Sequence, residues 1–253
     1  MIKFAPVCPI RIYEGLAEIG PEYIGDYFLL LAHDVVANAD RYATFFSKLR
    51  ETRNVTIIMD NSVIELGNAC KAPLLLEACD IVKASCLAIP DVLKDGIGTV
   101  DAAIDFFKDW QGNYPLMFIP QGKDQKDFEF CVHTANRAFG TRIDWIGVPR
   151  NLTGRVYKSR VLAMDFLINY FDPQFVKYHL LGFSDSMCDD FFTCKHYSNT
   201  IEGIDSAVPL RLSYKLGANN DFRDPGPRND WWEQANMNGI VAHNVLETRN
   251  RLK

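Results

Sequence analysis

Short, continuously apolar runs recur along this chain, each followed by a longer amphipathic segment. The runs are YFLLLAHDVV (27–36), VTIIMD (55–60), CLAIPD (86–91), PLMFIPQG (115–122), IDWIGVP (143–149), KYHLLGF (177–183) and TIEGID (200–205). Between them lie segments with apolar residues three and four apart. In 98–110, for example, Val100, Ile104 and Phe107 share one face while Asp101, Asp105 and Lys108 lie off it. Strands without polar alternation are covered on both faces, and intervening helices of this length are the crossovers of parallel βαβ units, about 30 residues each. No glycine-rich GxGxxG turn follows the first of these runs, which argues against a dinucleotide-binding open sheet. Seven or eight units in 253 residues fit a single-domain (β/α)8 barrel.

The eighth unit is irregular in this reading. Residues 211–234 begin strand-like and pass into a loop rich in proline and glycine, and a final helix is expected from Asp230 as N-cap to about Asn250, so 211–253 forms a C-terminal loop and helix. Hydrophobic residues make up 48% of the chain and aromatics 12%, enough for a large core. The net charge of −5 argues against a strong non-specific nucleic-acid binder but leaves room for a local basic groove. Charged residues interrupt every apolar run before it could span a bilayer, and the N-terminus lacks a signal-peptide pattern, so an intracellular, cytoplasmic location is expected. The seven cysteines are odd in number and include no CxxC pair, which points to buried free thiols rather than a disulfide or zinc framework.

In a parallel barrel the chemistry gathers where strands give way to βα loops. The runs end, in order, on Asp60-Asn61, Asp91, Gln121, Gly147-Val148-Pro149, Gly182 and Asp205. One such aspartate alone is commonly a helix cap or turn residue. Three carboxylates and an amide at one rim need a ligand, a partner or water to satisfy them. Oxygen ligands suit magnesium or calcium, which leaves a metal-dependent hydrolase using Asp60, Asp91 and Asp205 open. Carboxylate and amide also suit the hydrogen-bonding edge of a flat, purine-like heterocycle, and a further carboxylate can attack a sugar anomeric carbon.

These strand-end motifs resemble those of the tRNA-guanine transglycosylases and their DNA-modifying, DpdA-type relatives, over roughly residues 55–210. The resemblance implies a barrel that exchanges guanine in DNA for a 7-deazaguanine, the 7-cyano form foremost, through a covalent aspartyl-nucleoside intermediate and without metal or cofactor. MDNSVIELG is similar to the segment carrying the family's general base, which falls on Asp60, with Asn61 touching the base. LAIPDVLKD aligns the base-recognition aspartate with Asp91, and FIPQGK supplies Gln121. WIGVPRN places Gly147 and Val148 against the base, HLLGF places Leu181 and Gly182 there, and GIDSAVP makes Asp205 the nucleophile.

The chain departs from the tRNA enzymes in lacking their three-cysteine, one-histidine zinc site, since no cysteine follows Cys194. It also has Ser62-Val63 in place of a double glycine. A compact, zinc-free chain is expected on the DNA-modifying, phage-borne branch. A tRNA enzyme without the zinc subdomain and a catalytically inactive nucleic-acid-binding relative are the alternatives. Two basic stretches would then meet the nucleic acid: Arg150, Arg155, Lys158 and Arg160 beside the fifth of these runs, and Arg223 and Arg228 in the loop that ends on Trp231 and Trp232. For each, a solvated face or ordinary packing is the competing explanation. His179, inside a strand, reads as a satisfied barrel histidine. The expectation common to all of this is convergence of Asp60, Asp91, Gln121 and Asp205 on one purine-sized hollow.

Overall fold

The computed structural model describes residues 1–110, 112–184, 190–215, 232 and 239–252. Eight parallel strands form its sheet: β1 (Lys3–Pro6), β2 (Phe28–Leu31), β3 (Ile57–Asp60), β4 (Cys86–Ala88), β5 (Leu116–Phe118), β6 (Trp145–Pro149), β7 (Lys177–Leu181) and β8 (Ile201–Ser206). They pair in the order β1-β8-β7-β6-β5-β4-β3-β2, which wraps the sheet into a nearly closed (β/α)8 barrel. At the seam between β1 and β2, Asp26 N–H donates to the Phe4 carbonyl at 2.8 Å, and its side chain accepts from Phe4 N–H at 3.1 Å. The C-terminal helix Gly239–Arg251 lies over this seam, where Arg249 pairs with Asp26.

The strand the sequence reading left unplaced is β1, at the N-terminus, and not a strand after residue 210. Residues Val208–Lys215 are helical instead. Four residues carrying two prolines nearby make β1 too short to show periodicity, and its partner β8 lies some two hundred residues away (Ala5 opposite Asp205), so only closure of the barrel reveals it. The expected N-cap Asp230 and most of the loop 211–234 lie outside the described residues, and the final helix is described from Gly239.

Two apolar layers follow from period-two alternation. Phe28, Leu30, Met59, Leu87, Phe118, Ile146, Val148, Tyr178 and Ile204 point outward into the shell of helices. Ala5, Leu29, Leu31, Ile58, Cys86, Ala88, Met117, Ile119 and Trp145 fill the barrel. Aromatic edge-to-face contacts knit the outer layer at β2, with Tyr13, Phe45 and Phe46 around Phe28. Tyr13, Phe28 and Phe46 are fully buried, and each such side chain contributes about 1.5–3 kcal/mol. The alternation also decides the site. Asp60 shares the inward parity of Ile58, Asp205 that of Gly203, and His179 that of Leu181. Six of the cysteines are buried free thiols, and none of the described helices is long and apolar enough to cross a membrane.

Candidate active site

A cavity of about 330 Å³ opens at the C-terminal ends of the strands. Every strand contributes: Val7 follows β1, Leu31 ends β2, Asp60 ends β3, Asp91 follows β4, Gln121 follows β5, Arg150 follows β6, and Leu181 and Gly182 leave β7. Asp205 and Ser206 close the ring on β8. Its volume suits a small molecule. Its lining is largely apolar, with Leu29, Leu31, Val63, Ile119, Leu181 and Phe183 among it, and into this surface are set the carboxylates, Gln121, Asn151, Arg150 and Arg211.

Asp91 is 2% exposed, and both its oxygens are taken by amide donors, Asn61 Nδ2 on Oδ1 and Gln121 Nε2 on Oδ2, each at 2.7 Å. Burial raises its pKa to about 6, against the lowering effect of these two amides. Asn61 is held in turn: its Nδ2 also donates to the Ile89 carbonyl at 2.9 Å, and its Oδ1 accepts from Val63 N–H. Its role is to orient Asp91 from below, and it does not line the cavity.

Asp60 is half-buried, reached by solvent only through the mouth. Loss of hydration, then the neighbouring Glu65 carboxylate, then Asp91 and Asp205, push its pKa well above the ordinary aspartate range, although Ser62 N–H donates to Oδ2 at 2.8 Å. Ser62 carries that N–H on a left-handed backbone, φ 63°. This is a conformation that costs a non-glycine residue roughly 1 kcal/mol or more. Here the serine stands where the resembled motif has glycine, and the strained turn aims its N–H at the carboxyl.

Asp205 is 5% exposed and fixed by donors from the neighbouring strand. His179 Nε2 lies 2.8 Å from Oδ1, and Gly182 N–H reaches both oxygens at 3.1 and 3.2 Å. Gly182 adopts φ +65°, a turn open to glycine without strain, which points its N–H back at β8. Behind His179, the Tyr27 hydroxyl meets Nδ1. Arg160, fully buried, binds the Leu181 carbonyl and faces Asp190, which accepts from Ser184 N–H at 2.8 Å, so the end of β7 is braced from outside the barrel.

The structure thus brings Asp60, Asp91, Gln121, Leu181, Gly182, Asp205 and Arg150 around one hollow. It does not bring Gly147 and Val148 there. Val148 points outward into the helical shell. Gly147 lies deeper in the barrel, where a Cβ would sit 2.9 Å from Leu181 and 3.0 Å from Ile119 and Met117. Arg155 spends its guanidinium on the Asn151 side chain and carbonyl and on the Gly122 carbonyl, bracing two loops instead of facing a phosphate. Lys158 is exposed and outside the cavity. Arg223, Arg228 and Trp231 lie outside the described residues. Trp232 packs on the barrel interior and its Nε1–H faces Asp34 at 3.4 Å.

Tyr27, Glu65, Asn151 and Arg211 went unnoticed in the sequence, and His179 was read as core only. His179 had a signal, its inward parity with Leu181. Among the described residues, no three His, Cys, Asp or Glu side chains are grouped to hold a metal ion.

No protein-family model matches this chain, and no curated protein does. Solved structures share its fold. One, assigned as a fructose-1,6-biphosphate aldolase from Coccidioides immitis, superposes with a TM-score of 0.57 at 11% identity, over 99% of this chain and 89% of that one. The YdjI aldolase from Escherichia coli K12 gives 0.55 at 14% identity, over 98% and 87%. A dihydrodipicolinate synthase gives 0.49 at 10%, over 100% and 80%. Identity this low establishes the barrel fold alone. The comparisons overturn the transglycosylase resemblance: the structures that superpose with a TM-score above 0.5 are aldolases, neither a transglycosylase. The pentosyltransferase activity, DNA base exchange, 7-deazaguanine substrate and phage-type DNA-modification role drawn from that resemblance are withdrawn. The strand-end spacing that suggested them is a property of the barrel, which sets polar residues at the mouth whatever the reaction.

Proposed function

We propose that this barrel is an enzyme that moves protons on a small polar carbonyl compound held in its mouth, the chemistry of lyases that make or break a bond beside a carbonyl. The observation that carries the reading is the pairing of unlike carboxyl groups in one cavity. Asp60, whose acid form is favoured by burial and by three carboxylate neighbours, faces the same hollow as Asp205, held by an imidazole and a backbone N–H. Two carboxyl groups in contrasting environments divide the work of acid and base. Asp205 takes the proton from the carbon or hydroxyl beside the carbonyl, and Asp60, retaining its own, donates to the oxygen on which negative charge develops. Arg150 and Arg211 put positive charge at the rim for an anionic end of the substrate. Among the described residues no lysine lines the cavity, and the carboxyl pair is the acid–base machinery these side chains offer. The aldolase names among structures sharing the fold accord with this class.

The test is solvent-deuterium incorporation. The protein is incubated in D2O with a panel of 2-oxo acids, hydroxy-ketones and their phosphates, and α-deuteration is followed by proton NMR. Native protein should exchange at least one compound, with Asp205→Asn lowering the rate by about 10²–10⁴ and Asp60→Asn by a similar order. Exchange undiminished in Asp205→Asn, or none with any compound, would overturn the assignment.

A further inference from the structure

We propose that Tyr27 and His179 are positioning residues that hold Asp205 through a directed hydrogen-bond chain inside the barrel. This deepens the reading of Asp205 as the base and rests on it. Both are buried, Tyr27 at 1% and His179 at 0% exposure, on inward-facing positions of β7 and just before β2, strands that do not neighbour one another. Their meeting is therefore a product of the barrel's interior and not of sheet pairing.

The direction of the chain follows from the donors available. Burial first, then the nearby Asp205 carboxylate, raises the Tyr27 phenol well above its ordinary value, so it keeps its proton. That proton has His179 Nδ1 as its partner. The Asp205 carboxylate can only accept, so Nε2 carries a proton and donates to Oδ1 at 2.8 Å, and the Tyr27 proton directed at Nδ1 completes the proposed chain. The backbone makes room for this arrangement. At Gly203, opposite His179 on β8, a Cβ would lie 2.5 Å from the tyrosine oxygen and 2.6 Å from its ring. With Oδ1 held by the imidazole and Gly182 N–H shared between both oxygens, rotation of the carboxylate is locked. Oδ2 is then the oxygen turned to receive a proton.

The experiment is imidazole 15N NMR on the substrate-free protein, native and Tyr27→Phe. Native His179 is expected to show Nε2 protonated and Nδ1 unprotonated, its lone pair accepting from Tyr27. Loss of the single hydroxyl in Tyr27→Phe removes the donor to Nδ1 and should shift both nitrogens toward a mixture of tautomers, a change that mere cavity formation beside the ring would not produce. The native spectrum decides the tautomer even if the variant does not fold. A native Nδ1–H tautomer, or unchanged shifts in a folded Tyr27→Phe, overturns the proposal. Because the spectrum is taken without substrate, its outcome is separate from that of the deuterium exchange.

Discussion

Replacing Asp91 with asparagine removes one buried charge and almost no volume, which isolates the cost of keeping that charge in the barrel mouth. The carboxyl is 2% exposed, and its pKa rises from an ordinary 3.8 to about 6 because burial outweighs the two amide hydrogen bonds it accepts. Between those values the unfolded chain has released a proton that the folded chain still binds. Stability therefore falls as pH rises through this window, is highest below pH 4 for this group, and is flat above about pH 7. A gap of about 2 pKa units at 1.36 kcal/mol each gives about 3 kcal/mol. The asparagine introduces a constant offset, since the Gln121 amide must turn to meet it and gives up long contacts with Lys94 N–H at 3.3 Å and Asn151 at 3.4 Å. It adds no titration. Removing the Asp91 charge also eases Asp60, which changes the difference in the same direction. Urea unfolding of both proteins at intervals from pH 4 to pH 7 gives the difference in unfolding free energy, native minus variant. That difference is expected to fall by about 2.5 kcal/mol across the range. A flat difference curve would show that Asp91 is hydrated in the folded protein and would refute the account of the clamp.

Three further outcomes are expected. Glu65→Gln should lower the pH at which Asp60 titrates, followed by the carboxyl 13C shift, because the Glu65 charge is the largest electrostatic influence on it after burial; an unmoved titration would detach the two groups. Arg160→Leu should destabilise the protein by about 3–5 kcal/mol in chemical denaturation, since Asp190 loses the guanidinium it faces in the interior. Adding Asp190→Asn should recover part of that loss, and an unaltered midpoint in the single variant would count against the brace. Gly203→Ala should cost about 1–3 kcal/mol by overpacking against Tyr27, seen as a lowered thermal midpoint; an unchanged one would mean the Tyr27 ring is not where the chain to Asp205 requires it.

Much of the fold was written locally. Apolar runs such as VTIIMD and PLMFIPQG announce doubly covered strands, and the three-four spacing between them announces helices, because both signals come from neighbours in the chain. The same local signal picked out Asp60, Asp91, Gln121 and Asp205, since a polar residue ending an apolar strand stands out against its own run. What lay beyond it was set by distance through space. β1 became a strand only by pairing with β8. Gly147 and Val148 sat at a strand end, yet parity and depth sent one outward and the other below the mouth. Arg155, basic and near the rim, had its charge spent on backbone carbonyls no sequence pattern could locate. Tyr27 meets His179 across the barrel interior, 152 residues apart in the chain, through space that Gly203 leaves open. The residue types at the mouth were legible from the sequence. Which of them hold a proton, which are tied down and which orient the others was decided by burial and by contacts between strands, because the free energy of a carboxyl group depends on what surrounds it in three dimensions.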